Sequence, residues 1–368
     1  MTGRRIKVLV VDDSAVARRM LSEAITKEHD LELVGTAPDP FVARDKILEL
    51  SPDVITLDIE MPRMDGLTFL TKLMHYRPLP VIVVSSVGRS TCDIAIEALR
   101  RGAVEVIAKS SGPNSVGDIG HTLPNKIRAA FGARLRKPGS SGAPAAPAEA
   151  AQAGQSQTIP AGSLVAIGAS TGGTQAIEEV LAAMPADCPS IVIAQHIPAG
   201  FSASFAARLH SICKIEVREA RDGDLVKPGR ALVAPGNFHM MVSRRDGPCR
   251  VVVRDGPRVH YQRPAVDVLF QSVVEARMPH VVGVLLTGMG CDGAQGLLKL
   301  RQSGAWTIAQ DEASSVVYGM PRAAADLGAA RQVVSLGKVC SAIFTALGRS
   351  VPRSPISRQS HAGLRAAR

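Results

Sequence analysis

The stretch "SLVAIGASTGGTQAIEEVLAAMP", Ser163 to Pro185, contains the pattern that decides the fold class. It begins with an uncharged apolar run, Leu164 to Ala169, as expected for a strand that is buried on both faces. A glycine-rich turn follows, and the apolar residues after it have helical spacing: Ala176, Ile177, Val180, Leu181 and Met184. We therefore predict a strand, a tight turn and a helix, which is the repeating unit of parallel α/β sheets.

More strand-like runs follow in the second half of the chain. They are "SIVIAQH", "KIEVREA", "RALVAPG", "VVGVLLTG", "WTIAQ" and "ARQVVSL". We interpret residues 163–348 as a doubly wound, mainly parallel α/β domain. An antiparallel excursion is expected at "HMMVSRRDGPCRVVVRDG", residues 239–256.

The first third of the chain shows the same alternation. Five short apolar runs, "IKVLVV", "LELVGT", "DVITLD", "LPVIVVSS" and "VEVIAK", are each followed by a helical pattern. This predicts a (βα)5 domain over residues 1–124. Residues 125–162 are rich in Ala, Gly, Pro and Ser and are predicted to be a flexible linker, whereas residues 349–368 are predicted to be a disordered basic tail.

The net charge of +10 could indicate a nucleic-acid partner, but its distribution argues against one. The segment 125–162 holds five basic residues and one acidic residue, and the segment 349–368 holds five arginines and no acid. Both predicted domains are nearly neutral. The six cysteines form no metal-binding pattern, and no segment has the ~18 apolar residues of a membrane span. We expect a cytoplasmic protein without direct membrane insertion.

Polar residues stand at the ends of four predicted strands in the first domain. Asp12 and Asp13 end the first strand, Asp58 the third, Ser86 the fourth and Lys109 the fifth. Functional groups of parallel sheets collect at these carboxyl ends. Clustered carboxylates suit Mg²⁺, one of them could accept a phosphoryl group, and the lysine and hydroxyl could bind its oxygens.

The first domain resembles the receiver domain of bacterial response regulators. The resemblance rests on "VLVVDDS", "DVITLDIEMPRMDG", "VIVVSS" and "AVEVIAKS". It implies that Asp58 accepts phosphate from a partner histidine kinase, with Mg²⁺ held by Asp12, Asp13 and Asp58. It also implies that Ser86 and Lys109 contact the phosphoryl group and take part in the switch.

The turn "GASTGG" is compatible with two sites, a serine nucleophile at Ser170 or a dinucleotide-binding turn. A dinucleotide site requires an acid at the end of the next strand, but Gln195 and His196 stand there. His196 could serve as the base that a serine nucleophile needs. His239 is the competing candidate, and we interpret His210, His260 and His280 as structural or surface residues.

A serine hydrolase also needs a carboxylate to orient its histidine. Asp292, in the glycine-rich turn after "VVGVLLTG", occupies a position equivalent to those of Ser170 and His196. Four other acids could substitute, although turn or capping roles explain them more simply: Asp222, Asp224, Asp267 and Asp311. We interpret the neighbouring Cys291 as a small packing residue.

The second domain resembles the catalytic domain of the chemotaxis protein-glutamate methylesterases. The resemblance rests on "VAIGASTGG", "IVIAQHIPAGFS", "VLLTGMGCDGA" and "DEASSVVYGMPRAA". It implies a cofactor-independent esterase in which Ser170 is the nucleophile, His196 the general base and Asp292 the orienting carboxylate. The implied substrates are glutamate γ-methyl esters on the cytoplasmic helices of chemoreceptors, with methanol as a product, and receptor glutamines for deamidation.

An ester hydrolase of this type needs backbone donors for its oxyanion. Thr171 and Gly172, at the start of the following helix, are candidates, and Met289 in the "TGMG" turn is another unless it packs in the core.

The domain order suggests that the receiver covers the catalytic edge until it is phosphorylated. The alternative is a non-enzymatic module in which the receiver controls nucleotide or protein binding. We expect a monomer.

Overall fold

The computed structural model describes residues 4–109, 115–135, 159–244 and 247–348. The N-terminal domain is a five-stranded parallel sheet with strand order β2-β1-β3-β4-β5, and a helix follows each strand. This is the predicted (βα)5 receiver fold. Its elements are β1 (Ile6–Val11), α1 (Ala15–Thr26), β2 (Leu31–Ala37), α2 (Pro40–Leu50), β3 (Val54–Asp58), α3 (Gly66–Tyr76), β4 (Val81–Ser86), α4 (Arg89–Arg100), β5 (Glu105–Lys109) and α5 (Ser115–Phe131).

The second domain contains a seven-stranded parallel sheet with strand order β14-β13-β12-β6-β7-β9-β8. Its strands are β6 (Ser163–Ala169), β7 (Ser190–Gln195), β8 (Glu216–Glu219), β9 (Arg230–Val233), β12 (His280–Leu285), β13 (Trp306–Gln310) and β14 (Gln332–Val334). Strands β10 (His239–Ser243) and β11 (Arg250–Arg254) form a separate antiparallel hairpin, which confirms the predicted excursion.

Helices cover both faces of this sheet, as the doubly wound prediction requires. Val165 and Ile167 of β6 point into one core, with α6 (Gly173–Ala182), α7 (Phe201–Ile212) and α11 (Val339–Gly348). Leu164 and Ala166 point into the other, with α8 (Val266–Ala276), α9 (Ala294–Gln302) and α10 (Met320–Asp326). Successive side chains of a strand point to opposite faces, so a continuous apolar run supplies both cores.

The start of the predicted linker needs a correction. Helix α5 continues to Phe131, so the predicted boundary between residues 124 and 125 falls inside this helix. Leu123 and Ile127 are both buried against the receiver sheet, and this apolar packing keeps the helix intact beyond the boundary. Most of the predicted linker, residues 136–158, and the predicted tail, residues 349–368, lie outside the described residues.

The two domains pack against each other through α4 of the receiver and α7 of the second domain. Residues of both helices belong to one continuous buried cluster, including Cys92 and Phe201. The approach is close at Gly200, where an added Cβ atom would lie 2.8 Å from Val87 Cγ1. Beyond α5, the N–H of Arg134 donates to the carbonyl oxygen of Val316 at 2.9 Å. The N-terminal domain therefore packs against α7 and the segment around Val316 of the second domain.

Among the described residues, no helix combines the length and apolarity that crossing a membrane requires.

Candidate functional site

The predicted serine, histidine and aspartate meet at one edge of the second sheet. Ser170 follows β6, His196 follows β7 and Asp292 lies in the turn after β12, and these three strands are neighbours. The Ser170 N–H donates to the carbonyl oxygen of Thr287 at 3.0 Å, and the His196 N–H donates to that of Ala169 at 3.1 Å. Parallel strands end at the same edge, which is why residues far apart in the chain converge there.

His196 and Asp292 form a buried hydrogen-bonded pair. The His196 Nε2 atom lies 2.8 Å from Asp292 Oδ2, and the two residues are only 5% and 2% exposed. The other ring nitrogen, Nδ1, is buried and has no hydrogen-bond partner within the described parts of the chain. Since a carboxylate accepts the proton of Nε2, Nδ1 of the neutral ring is the nitrogen that can accept a proton from a nucleophile.

Asp292 also contacts the N-terminus of α8. Its Oδ2 atom accepts the Val266 N–H at 2.7 Å, and its Oδ1 atom accepts the Asp267 N–H at 2.9 Å. Burial acts to raise the pKa of Asp292, but His196 and these two N–H groups outweigh it and lower the pKa below its usual value. The helix N-terminus and the histidine therefore keep this buried carboxylate ionised.

The turns that carry these residues are held together by a side chain that the sequence reasoning assigned no role. The Gln195 Nε2 atom donates to the carbonyl oxygen of Ser170 at 2.8 Å and to that of His196 at 3.2 Å. Gly288 lets the turn after β12 approach closely, since an added Cβ atom would lie 2.6 Å from Ser170 Cβ. The only signal in the sequence was the position of Gln195 at the end of β7.

The predicted oxyanion donors lie around Ser170. Gly172 has a φ of 75° and precedes α6, so Thr171 and Gly172 lie at a helix N-terminus. The N–H groups of Thr171, Gly172 and Met289 donate no hydrogen bond to any described residue. Met289 is 37% exposed, which excludes the core-packing role considered for it. These three N–H groups therefore remain candidate oxyanion donors.

His239 does not fit the role of catalytic base. Its Nε2 atom lies 2.9 Å from the carbonyl oxygen of Pro257, and its Nδ1 atom accepts the Ala265 N–H at 3.3 Å. Both ring nitrogens are thus engaged by backbone groups. His239 is buried and connects the hairpin to the start of α8.

A second histidine–aspartate pair flanks Asp292, and here the sequence interpretation was incomplete. His260 Nε2 lies 3.0 Å from Asp267 Oδ2, while Asp267 Oδ1 accepts the Gly296 N–H at 2.6 Å. Burial, together with the negative charge of Asp292, raises the pKa of Asp267. One ligand atom each of His260, Asp267 and Asp292 lies within 4.8 Å of the others, but the carboxylate oxygens already accept hydrogen bonds.

The remaining candidate acids have structural partners. Asp222 and Asp224 accept backbone N–H groups of Val253 and Arg221, and Asp311 accepts that of Ser314. Cys291 is exposed, so its interpretation as a packing residue is wrong. It lies on an open turn instead of facing a core.

The phosphoacceptor candidates of the receiver also converge. Lys109 Nζ lies 2.8 Å from Asp12 Oδ2 and 2.7 Å from Asp58 Oδ2. Burial raises the pKa of Asp58, the charge of Asp12 adds to this, and Lys109 only partly offsets it. The Ser86 hydroxyl donates to Glu60 Oε2 at 2.7 Å.

The receiver cluster has the donor set that Mg²⁺ prefers. Asp12, Asp13 and Asp58 offer carboxylate oxygens within 4.8 Å of one another at the carboxyl ends of β1 and β3. Asp12 and Asp58 are buried, and Asp13 is exposed. Hard oxygen ligands with one side open to water fit this cation, and its charge would favour the ionised form of Asp58.

A cavity of about 340 Å³ lies between the domains beside the catalytic edge. The second domain contributes His196 and the segment that follows it, together with residues near the hairpin. The receiver contributes residues of β5 and α5 and the turn after β4. The lining residues include Val87, Ile107, Thr122, Lys126, His196, Asn237, Arg258, Gln262 and Arg263. Receiver residues and His196 therefore line the same cavity.

Comparisons with known proteins match both halves of the chain. A family model described as a response regulator receiver domain matches residues 8–118, and one described as CheB methylesterase matches residues 165–343. The protein-glutamate methylesterase/protein-glutamine glutaminase 2 of Syntrophus aciditrophicus is 51% identical over 339 residues, which cover 92% of this chain and 98% of the relative.

A protein-glutamate methylesterase/protein-glutamine glutaminase 4 of Anaeromyxobacter dehalogenans is 50% identical over 347 residues, covering 94% of this chain and 96% of the relative. The crystal structure of the Thermotoga maritima CheB methylesterase catalytic domain is 36% identical, with a TM-score of 0.48. That likeness covers 50% of this chain and 97% of the crystallised one.

Proposed function

The chain belongs to the protein-glutamate methylesterase family whose members join a receiver to a catalytic domain, and from this premise we propose that it demethylates chemoreceptors. The substrate is the γ-methyl ester of glutamate side chains, and the products are glutamate and methanol. Receptor glutamines are deamidated at the same site. The observation that carries the proposal is the buried His196–Asp292 pair beside Ser170 at the ends of adjacent strands.

The proposed chemistry follows the order of a serine hydrolase. Ser170 Oγ attacks the ester carbonyl carbon while His196 Nδ1 takes the hydroxyl proton, and Asp292 stabilises the imidazolium through Nε2. The N–H groups of Thr171, Gly172 and Met289 are the proposed donors to the oxyanion.

The tetrahedral intermediate then collapses. Its carbon–oxygen bond to the methoxy group breaks, and His196 returns the proton so that methanol leaves. A water molecule, deprotonated by His196, attacks the acyl-enzyme and releases the glutamate carboxylate and Ser170. With a glutamine substrate the same steps release ammonia. This domain needs no cofactor for either reaction.

In the proposed regulation, a histidine kinase donates a phosphoryl group to Asp58. Asp12, Asp13 and Asp58 would hold Mg²⁺, which neutralises charge on the carboxylates and the phosphoryl oxygens when it is bound. Lys109 lies in contact with Asp58 and would bind a phosphoryl oxygen. Ser86 would leave Glu60 and donate to the phosphoryl group, a movement that would change the end of β4.

The interdomain cavity supports masking by the receiver. Thr122 and Lys126 of α5 line the same cavity as His196, and in the proposed docked state they would obstruct the approach of a receptor helix to this edge. Phosphorylation at Asp58 would shift the equilibrium between the docked and undocked receiver toward the undocked state. The size of this shift equals the difference between the free energies of phosphorylating the docked and the undocked receiver.

Methanol release from methylated chemoreceptor membranes tests the proposal. Wild type, Ser170→Ala and Asp58→Asn are compared with and without a small phosphodonor plus Mg²⁺. We expect Ser170→Ala to abolish release and Asp58→Asn to remove the stimulation while keeping the basal rate. Folded wild-type protein that releases no methanol from any receptor, yet binds nucleotide tightly, would instead support the non-enzymatic module.

A further inference from the structure

A tight turn at residues 258–263 borders the catalytic cleft. Val259 and Gln262 exchange backbone hydrogen bonds of 3.1 and 2.9 Å, which closes the turn. The two central residues, His260 and Tyr261, have φ values of 50° and 62°. Residues other than glycine occupy this region at an energetic cost, and they persist there only where the surroundings impose it. We call residues 258–263 the recognition turn.

The recognition turn is held at two points, and one of them connects it to Asp292. At its end, Arg263 Nη2 donates to Asn237 Oδ1 at 2.7 Å, and the same guanidinium contacts Asp255. In its centre, His260 pairs with Asp267 at 3.0 Å, and the Asp267 N–H binds Asp292 at 2.9 Å. The turn is therefore a preorganised element whose position is coupled to the orienting carboxylate.

Tyr261 occupies the apex of this rigid turn and is 85% exposed. The residues on both sides of the apex, Arg258, Gln262 and Arg263, line the cavity that contains His196. The chain contains only three tyrosines. An exposed aromatic ring on a rigid support beside an active site is typical of a binding anchor, since its burial releases much apolar surface and costs little conformational entropy.

The charge around the turn indicates the chemistry of its partner. The second-domain residues that line the cavity include two arginines, Arg258 and Arg263, and no acidic residue, although the second domain as a whole is nearly neutral. A surface of this charge complements a helix that carries glutamate side chains. The proposed reaction acts on such a helix, because every turnover leaves a glutamate carboxylate on it.

We propose that the recognition turn binds the receptor helix next to the ester and that Tyr261 determines specificity for the intact receptor over small esters. This inference rests on the proposed function and adds a substrate-binding surface to it. Tyr261 packs against the helix surface beside the scissile glutamate, while Arg258 and Arg263 attract its acidic face. Tyr261 itself takes no part in bond making.

The test measures the hydrolysis of two substrates by the full-length protein in the presence of phosphodonor and Mg²⁺. One substrate is methylated chemoreceptor membranes, and the other is the N-acetylated, C-amidated γ-methyl ester of glutamate, which is small and uncharged. The variants are Tyr261→Ala and Tyr261→Phe. The matched control is Tyr76→Ala, because Tyr76 is 81% exposed and ends α3 in the receiver.

We expect Tyr261→Ala to raise the KM for receptor membranes about tenfold and to leave kcat/KM for the small ester unchanged. Tyr261→Phe, which keeps the ring, and Tyr76→Ala should resemble wild type. Added salt should raise the wild-type KM for membranes only.

An unchanged KM for membranes in Tyr261→Ala overturns the inference and leaves the proposed function standing. An equal loss on both substrates also overturns it, since the turn would then act on the chemistry through His260 and Asp267. Wild-type protein that hydrolyses neither ester refutes the proposed function and the inference with it.

Discussion

Glu105 of the receiver reaches the catalytic domain, and its substitution tests the proposed masking directly. The residue begins β5 and is only 4% exposed. Its Oε2 atom accepts the hydroxyl proton of Thr171 at 2.8 Å, and Thr171 is the residue after Ser170. Lys126 of α5 lies 3.0 Å from the same oxygen. The substitution Glu105→Gln keeps an acceptor for Thr171 but removes the charge.

The size of the effect follows from the two kinds of hydrogen bond. A bond to a charged group contributes about 1.5–3 kcal/mol, whereas a neutral one contributes about 1 kcal/mol. The docked state should therefore lose about 0.5–2 kcal/mol relative to the undocked state. Since 1.4 kcal/mol corresponds to a factor of 10, the docking equilibrium weakens about 2- to 30-fold. The basal rate should rise by this factor, up to the rate of the phosphorylated protein.

The assay is methanol release from receptor membranes without a phosphodonor, followed by the same measurement with phosphodonor and Mg²⁺. The stimulated rate of Glu105→Gln should equal that of wild type. Glu23→Gln is the matched control, because Glu23 forms an exposed ion pair with Arg19 on α1. Glu105 also pairs with Lys126 inside the receiver, so thermal unfolding is measured to check that the substitution leaves the receiver folded. A basal rate equal to that of wild type, in protein with an intact receiver, would refute the masking contact.

Three further predictions concern other parts of the molecule. Asp292→Asn should lower kcat for methanol release by about 10³- to 10⁴-fold in folded protein, and a loss below tenfold would contradict the orienting role. Hydrogen bonds from Arg128 lower the pKa of Asp30 to about 2. The ionised carboxyl therefore stabilises the fold above pH ~4, and this contribution disappears as the pH falls toward ~2. Arg128→Gln should flatten that part of an acid-unfolding curve followed by circular dichroism, and an unchanged curve would contradict this. A thiol reagent at pH 8 should label the exposed Cys291 rapidly, and the fast phase should be lost in Cys291→Ser. Four other cysteines should react slowly, because burial raises the pKa of their thiols to about 11: Cys188, Cys213, Cys249 and Cys340.

Much of the candidate site was predictable because parallel α/β sheets follow simple rules. An apolar run followed by a helical pattern predicts a strand and its crossover helix, and successive crossovers place strand ends at one edge. Ser170, His196 and Asp292 each follow such a run, so their proximity could be inferred before any coordinates. The same reasoning located Asp58 and Lys109 in the receiver.

Other properties depended on contacts between elements that are distant in the sequence. Helix α5 runs past the predicted boundary to Phe131, because residues beyond that boundary, such as Ile127, still pack against the receiver sheet. Cys291 was assigned to packing from its residue type, but the open turn exposes it. Asp267 was assigned a turn or capping role, and its Oδ1 atom does accept the Gly296 N–H in the first turn of α9. It also pairs with His260 and binds Asp292 through its own N–H group, which the sequence did not indicate.

The sequence by itself determined the two α/β domains, the order of their strands along the chain and the residues at the strand ends, because these features arise from local periodicity and residue type. Only the tertiary structure decided that the N-terminus of α8 holds Asp292 and that Glu105 contacts Thr171 across the domain interface. Such contacts depend on how whole helices and sheets pack in three dimensions, and no local pattern of residues encodes that packing.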